Sequence, residues 1–328
     1  MQEYISSERY WRIRMENILQ IENITKNYDG VAVVNNLSFS LKKGHILGFL
    51  GPNGAGKSTT INMISSLIGQ DDGYIYYEEV PLEKCRKKFK SEIGVVPQSL
   101  AIYEDLTAYQ NLKFFAELYG VPKDRVEEVC TYALNFVNLE NVKYKKAQTF
   151  SGGMKRRLNI ACSLVNSPKL IILDEPTVGI DPQSRNFILE AIKKLRDKGV
   201  SVIYTTHYME EIEAIAEDVV IVDHGQKLID DTLENIREKY SKQSIVSVRV
   251  DLFDQDLSEK ILAISGVDSV SVDGKLIKIS INTEVNNKVL NNITDLFNRN
   301  NSSILSIDSL NLNLEDIFLE LTGKKLRD

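Results

Sequence analysis

A chain of 328 residues with 43% apolar side chains is long enough for about two domains and apolar enough to bury a sizeable core, which excludes global disorder. A formal net charge of -6 and a pI of about 5.4 argue against a broad nucleic-acid surface. Cys85, Cys130 and Cys162 lie far apart, with neither metal-ligand spacing nor an even count, and read as reduced thiols of a cytosolic protein.

Residues 1–14 contain Arg9, Trp11, Arg12 and Arg14 but no apolar stretch, so they are not a secretory signal. They read as a disordered extension, a frayed start or the product of an upstream start codon, with an interfacial anchor as the alternative. Strands are expected at Ile18 to Ile24, Val31 to Val34 and Leu37 to Leu41, with turns at Asn-Tyr-Asp-Gly and Lys-Lys-Gly. His45 to Leu50 is a short apolar strand running into a Gly-rich loop, and Thr59 to Leu67 has helical spacing.

Between 104 and 146 the apolar residues recur every three or four positions, as at Phe114, Leu118, Val126 and Val129, which marks a helical insert. Strands and helices then alternate: Leu170 to Asp174, Gln183 to Lys198, Val200 to Thr205, Met209 to Ala216, Val219 to Asp223. This order implies a mostly parallel, helix-covered sheet. After Lys242 the predicted β-α-β-β-α-β order is a ferredoxin-like signature, closed by a helix at Leu314 to Leu321 that Gly323 stops. No apolar run approaches the ~18 residues of a membrane span, so a pore would have to belong to another chain.

Three stretches carry chemistry. Gly51-Pro52-Asn53-Gly54-Ala55-Gly56-Lys57-Ser58-Thr59 fits G-x-x-x-x-G-K-[ST] between a strand and a helix. Its glycines let the backbone wrap phosphates and the helix start adds donors; Lys57 would reach the β- and γ-phosphates and Ser58 would ligate Mg²⁺. In Leu170-Ile171-Ile172-Leu173-Asp174-Glu175-Pro176 the buried strand delivers two acids beside that loop. Asp174 is placed to hold Mg²⁺ through water, and Glu175 to act as general base on the attacking water. Ser151-Gly152-Gly153 opens a further helix. One chain already has a phosphate-binding helix start, so a second suggests an anion shared with another protomer.

On these motifs the chain resembles the ATP-binding cassette (ABC) ATPases over residues 17–238, and within them the ATPase subunits of bacterial drug-, antibiotic- and sodium-extrusion transporters. The resemblance implies an α/β P-loop NTPase cassette with a mostly parallel sheet, an antiparallel β subdomain and a helical insert at about 99–150. The cassette would span 15–242, with a small ferredoxin-like α+β accessory domain at 243–328 that regulates or pairs cassettes. Tyr28 matches the residue that stacks on adenine. Gln98, in Val95-Val96-Pro97-Gln98, matches the glutamine that touches Mg²⁺ and the attacking water. Ser151, Gly152 and Gly153 match the signature that caps the partner's γ-phosphate, Asp181 the loop that crosses the dimer interface, and His207 the switch histidine on the γ-phosphate.

ATP and Mg²⁺ are thus the implied ligands. A second protomer, expected to be identical, and a separate membrane permease are the implied partners, with no nucleic acid and no span of its own. The implied place is peripheral, on the cytoplasmic face of the cell membrane. Phe150 and Met154 stand where many cassettes have Leu and Gln, as in the extrusion branch, and Ile180 replaces a leucine at similar volume. His45 replaces the usual acid and is expected to matter little. The basic runs Lys84 to Lys90 and Lys143 to Lys146 read as solvated faces, with anionic lipid or permease contact as the alternative. Two rival functions are a soluble cassette ATPase acting on ribosomes or nucleic acid and a regulatory module that binds nucleotide without turnover. The single cassette, acidic balance and intact Gln98, Glu175 and His207 weigh against both.

Overall fold

The computed structural model describes residues 16–241, 243–251, 256–282, 286–300, 302–311 and 314–322; the 1–14 extension and Gly323 lie outside them. Contacts divide the chain into two units between Thr232 and Leu233, ahead of the boundary expected at 242.

In the first unit β1 (Asn17–Tyr28) and β2 (Val31–Lys42) form a hairpin whose turn, Asp29-Gly30, takes positive φ at both residues, the geometry that matches strand twist. The two strands expected across 31–41 are one continuous strand. Asn36 takes φ 52, and slips of register between Ile24 and Lys26 absorb the polar break at Asn35-Asn36. There follow β3 (Ile46–Leu50), α1 (Lys57–Ile64), β4 (Asp72–Tyr77), β5 (Val80–Pro81), α2 (Leu82–Glu92) and β6 (Ile93–Val96). The insert contains α3 (Ala108–Leu118) and α4 (Val126–Phe136), and α5 (Gly152–Cys162) begins at the SGG step. Then come β7 (Leu170–Asp174), α6 (Pro182–Asp197), β8 (Ser201–Thr205), α7 (Met209–Ile215), β9 (Asp218–Asp223) and β10 (Gln226–Thr232).

Two sheets result. One is antiparallel, in the order β2-β1-β4-β5; the other runs β10-β9-β3-β8-β7-β6 and is parallel throughout except for the β9–β10 pair. Every residue of β3 and β8 is buried, as parallel strands covered on both faces require. A single apolar core joins the sheets: Leu19, Ile21 and Phe39 from the first, Phe49, Ile172 and Ile203 from the second, with Ile61 and Ile64 of α1 between.

The insert is fastened by a polar residue. Thr107 caps α3, and Gln110 completes a capping box with it. Fully buried Asn111 donates from Nδ2 to the Tyr103 and Thr107 carbonyls at 2.9 and 3.0 Å and accepts the Tyr103 N–H at 2.7 Å.

In the second unit α8 (Leu233–Ser241) precedes β11 (Gln243–Val250), α9 (Asp256–Leu262), β12 (Val267–Asp273), β13 (Leu276–Asn282), α10 (Asn286–Arg299) and β14 (Ile304–Asn311), then α11 (Leu314–Thr322). The strands form an antiparallel sheet in the order β12-β13-β11-β14, a ferredoxin-like unit. Val246, Val248 and Val250 of β11 and Ile277, Ile279 and Ile281 of β13 share a core with Val289, Ile293 and Phe297, which recur every fourth residue on α10.

Replacing Asn111 by Ala strands the Tyr103 N–H and the carbonyls it serves, so Asn111→Ala should lower unfolding free energy by about 1–3 kcal/mol. Urea titration checks this; an unchanged midpoint and slope would show that Asn111 does not fasten the insert.

Candidate active site

Strand order assembles the site. In the run β3-β8-β7-β6 neighbouring strands are parallel, so their carboxyl ends lie along one edge of the sheet. The Gly51–Gly56 loop leaves β3, Thr206-His207 leaves β8, Glu175 leaves β7 and Pro97-Gln98 leaves β6. Ligands of open α/β sheets bind outside that edge.

At the loop, Gly56 takes φ 94, and a Cβ there would lie 2.6 Å from the Val33 carbonyl oxygen, so glycine is required. The β2 backbone therefore lies close against the loop. Lys57 is buried; its Nζ donates to the Gly51 and Pro52 carbonyls at 2.7 and 3.0 Å. Burial pushes its pKa down, opposed by the charges of Glu175 and Asp174. Asn53, Gly54 and Ser58 are exposed, Thr59 is half-buried, and Ala55 is buried in the core.

Asp174 Oδ1 accepts the Thr205 hydroxyl at 2.6 Å. Burial raises its pKa, and that hydrogen bond and the Lys57 charge pull the other way. Glu175 is nearly buried and has φ 46, a left-handed backbone that is rare outside glycine. Its N–H donates to both the carbonyl and the hydroxyl of Thr205, at 3.1 and 3.0 Å. Gln98 Nε2 donates to Glu175 Oε2 at 2.7 Å, and His207 Nδ1 stands 3.6 Å from Oε1. The structure therefore brings Lys57, Gln98, Asp174, Glu175 and His207 into one cluster.

Other expected residues lie apart from it. Ser151 caps α5, accepting the Met154 N–H at 3.3 Å, and Asp181 caps α6, accepting the Ser184 N–H at 2.8 Å. Both are exposed, and a Cβ on Gly153 would collide with the Ser184 side chain, so these two helix starts abut. Among the described residues no hydrogen bond or ion pair joins Ser151 or Asp181 to the Lys57–Glu175 cluster. Tyr28 is exposed beside the β1–β2 turn, with Lys26 Nζ 5.7 Å from its ring centroid. His45, expected to matter little, hydrogen-bonds Asp218 at 2.7 Å, on a carboxylate that also pairs with Lys42.

Sequence reasoning passed over Thr205 and Glu211. Thr205 looks like the polar end of an apolar strand, yet it orients both acids. Glu211, fully buried on α7, accepts hydroxyls from Thr177, Tyr204 and Thr206 at 2.9, 2.9 and 2.8 Å, which fastens the turn carrying His207. A glutamate in an amphipathic helix gives no sign of such burial.

The donor set fits a nucleoside triphosphate with a hard cation. A buried ammonium that donates to loop carbonyls is matched to phosphate oxygens, and Ser58, Asp174 and Gln98 carry the kind of oxygen atoms that would hold Mg²⁺ beside phosphate. A phosphate loop, paired acids after a parallel strand and a glutamine hydrogen-bonded to one of them define a nucleotide-hydrolysing P-loop cassette.

Comparison with known proteins narrows this class. The family described as ABC transporter matches residues 34–178. The linearmycin resistance ATP-binding protein LnrL of Bacillus subtilis (strain 168) is 42% identical over 311 residues, covering 95% of this chain and 100% of that protein. The Nod factor export ATP-binding protein I of Sinorhizobium fredii (strain NBRC 101917 / NGR234) is 31% identical, covering 97% and 89%. Among solved structures, cbiO1 from Clostridium perfringens, part of the ABC transporter complex cbiONQ, superposes with TM-score 0.62 at 27% identity, over 69% of this chain and 95% of that one. A dimeric ATP-binding cassette in a post-hydrolysis state, bound to ADP and Pi, gives 0.60 at 25% identity, over 66% and 98%. The chain belongs to the ABC transporter ATP-binding proteins, and it binds and hydrolyses ATP in transport.

The raised pKa of Asp174 has a thermodynamic consequence. A carboxyl that holds its proton more tightly when folded destabilises the fold once ionised, and this cost disappears as pH falls below its unfolded value near 3.9. Without nucleotide, Asp174→Asn should therefore melt higher at pH 7, by about 2–4 °C for each kcal/mol relieved, with the gain shrinking toward pH 4. Scanning calorimetry at both pH values checks this, and a lower melting temperature at pH 7 would contradict it.

Proposed function

We propose that this chain is the motor subunit of an exporter. Two identical copies would close head to tail over two ATP molecules on the cytoplasmic face of the membrane, each lying beneath a separate permease. The observation that carries the reading is the division of the machinery. Lys57, Gln98, Asp174, Glu175 and His207 gather at one sheet edge, whereas the SGG helix start and the Asp181 loop form a separate exposed pair. An exposed helix start set apart from that cluster is suited to another protomer's nucleotide.

Export is supported by the relatives named for linearmycin resistance and Nod factor export, and assembly by the dimeric cassette and the subunit of a transporter complex. Among the described residues no helix is long and apolar enough to cross a membrane, consistent with a peripheral subunit. A permease fits the insert, where Tyr103, Phe114 and Leu118 expose much of their apolar surface and Tyr103 packs edge-on to Phe114 at 4.9 Å.

In the proposed reaction the Lys57 ammonium and the Gly51–Gly56 backbone hold the phosphates, and Tyr28 stacks on the base. Glu175 accepts a proton from a water that attacks the γ-phosphorus, and ADP leaves as the β–γ bridge breaks. Gln98 and His207 hold the water and the phosphoryl oxygens. Mg²⁺, held by Ser58, Gln98 and Asp174, would neutralise the charge spread over the phosphates. Ser151, Gly152 and Gly153, with Asp181 alongside, would cap the partner's nucleotide. The second unit serves as an accessory domain that regulates or pairs the cassettes.

Removing the base while keeping its shape tests the reading. Glu175→Gln should bind ATP at near wild-type affinity, lose about 10²–10⁴-fold in turnover, and accumulate as a dimer with ATP. Phosphate release and size-exclusion chromatography measure this; wild-type turnover would remove Glu175 from the chemistry, and a monomer with ATP bound would remove the paired closure.

A further inference from the structure

Gln98 follows the last residues of β6, yet its main chain is held from elsewhere. Arg156, buried on α5 about one turn after Gly152, donates from Nη1 to the Pro97 carbonyl at 3.0 Å and from Nη2 to the Gln98 carbonyl at 2.7 Å. On the same helix the buried Asn159 accepts the Ala101 N–H through Oδ1 at 3.2 Å, and Lys155 pairs with Glu104 at 2.8 Å. Three side chains of the SGG helix thus grip residues 97–104.

Packing alone does not account for the arginine. Burial works against its charge, depressing its pKa, and among the described residues no carboxylate compensates at hydrogen-bond distance; both contacts are to main-chain carbonyls. An apolar side chain would fill the volume at lower cost. What the planar fork adds is a fixed orientation for one peptide. The side chain on that peptide is the one that donates to Glu175.

We infer that Arg156 is a positioning residue for hydrolysis: it fastens the Gln98 peptide to the helix that bears Ser151, Gly152 and Gly153, so the Gln98 carboxamide moves on or off Glu175 with that helix. The inference rests on the proposed roles of Gln98 and Glu175. In the structure the Gln98 carboxamide donates to Glu175 Oε2, an oxygen that a base must present to its water. A shift of α5 as Ser151–Gly153 meet the partner's nucleotide would draw the Gln98 peptide along and clear that oxygen. Closure at one nucleotide would thereby arm the glutamate at the other.

The test is a double-mutant cycle in ATP turnover on the full chain, with melting curves recorded for each variant. Arg156→Ala should lower kcat about 10- to 100-fold while KM for ATP stays within about twofold, because a misplaced group affects the reaction step more than binding. Arg156→Lys, which keeps the charge and one of the two carbonyl contacts, should recover part of the rate. In a Gln98→Ala background the same arginine change should have no further effect, since two residues acting as a unit are not additive. Wild-type kcat in Arg156→Ala, or an equal further loss in the Gln98→Ala background, overturns the inference. If the alanine variant does not fold, the cycle is run with Arg156→Lys under the same criteria. Glu175→Gln with wild-type turnover would mean that the parent reading has failed; an inactive Glu175→Gln beside an unaffected Arg156→Ala means that only the tether has.

Discussion

Everything at the site depends on four parallel strands ending side by side. Hydrogen bonding of β3 to β8, β8 to β7 and β7 to β6 places a phosphate loop, a histidine turn, an acid pair and a glutamine loop within reach of one another, although they are spread from residue 51 to residue 207. Asp174 ends its strand and Glu175, Gln98 and His207 follow theirs within two residues, so the buried ladders hold them in place, whereas Lys57 follows β3 across the loop at the start of α1. The precision comes from the sheet, and the freedom comes from the loops. Gln98 is the exception, because its main chain is gripped by α5 as well as following β6.

Polar side chains refine what the sheet sets roughly. Thr205 serves both acids at once, with its hydroxyl donating to Asp174 and accepting from the Glu175 N–H. Glu211 gathers three hydroxyls below the histidine turn. Asn111 serves the loop that enters the insert. Each is buried and makes several hydrogen bonds at once. Such groups fix one arrangement more strictly than apolar packing does.

Much of this was legible in the sequence where the signal is local. The phosphate loop, the Leu170–Glu175 strand with its acids and the SGG helix start are consecutive residues whose chemistry needs no tertiary partner to be recognised. The second unit was legible because its strands and helices alternate cleanly, although its sheet order was not, since pairing is non-local. The region from Asp72 to Val96 gave little: β5 is two residues long, and α2 buries only Leu82 and Phe89 beneath a mostly charged face, so no apolar stripe marks it. Thr205 and Arg156 act across separations of 31 and 58 residues, on partners that no spacing reveals. The polar break at Asn35-Asn36 divided β2 in the sequence, because a bulge and a turn begin with the same residues.

The lysine of the phosphate loop is part of what gives that loop its shape. With its ammonium folded onto the Gly51 and Pro52 carbonyls, the loop closes around its own positive charge. Incoming phosphates then replace two neutral acceptors with charged ones and need not order a floppy segment. Most of the entropy that a glycine-rich loop would surrender on binding has been given up during folding. Nucleotide capture is in that sense preorganised, and in the proposed dimer the binding energy of ATP would then be available for bringing the two subunits together.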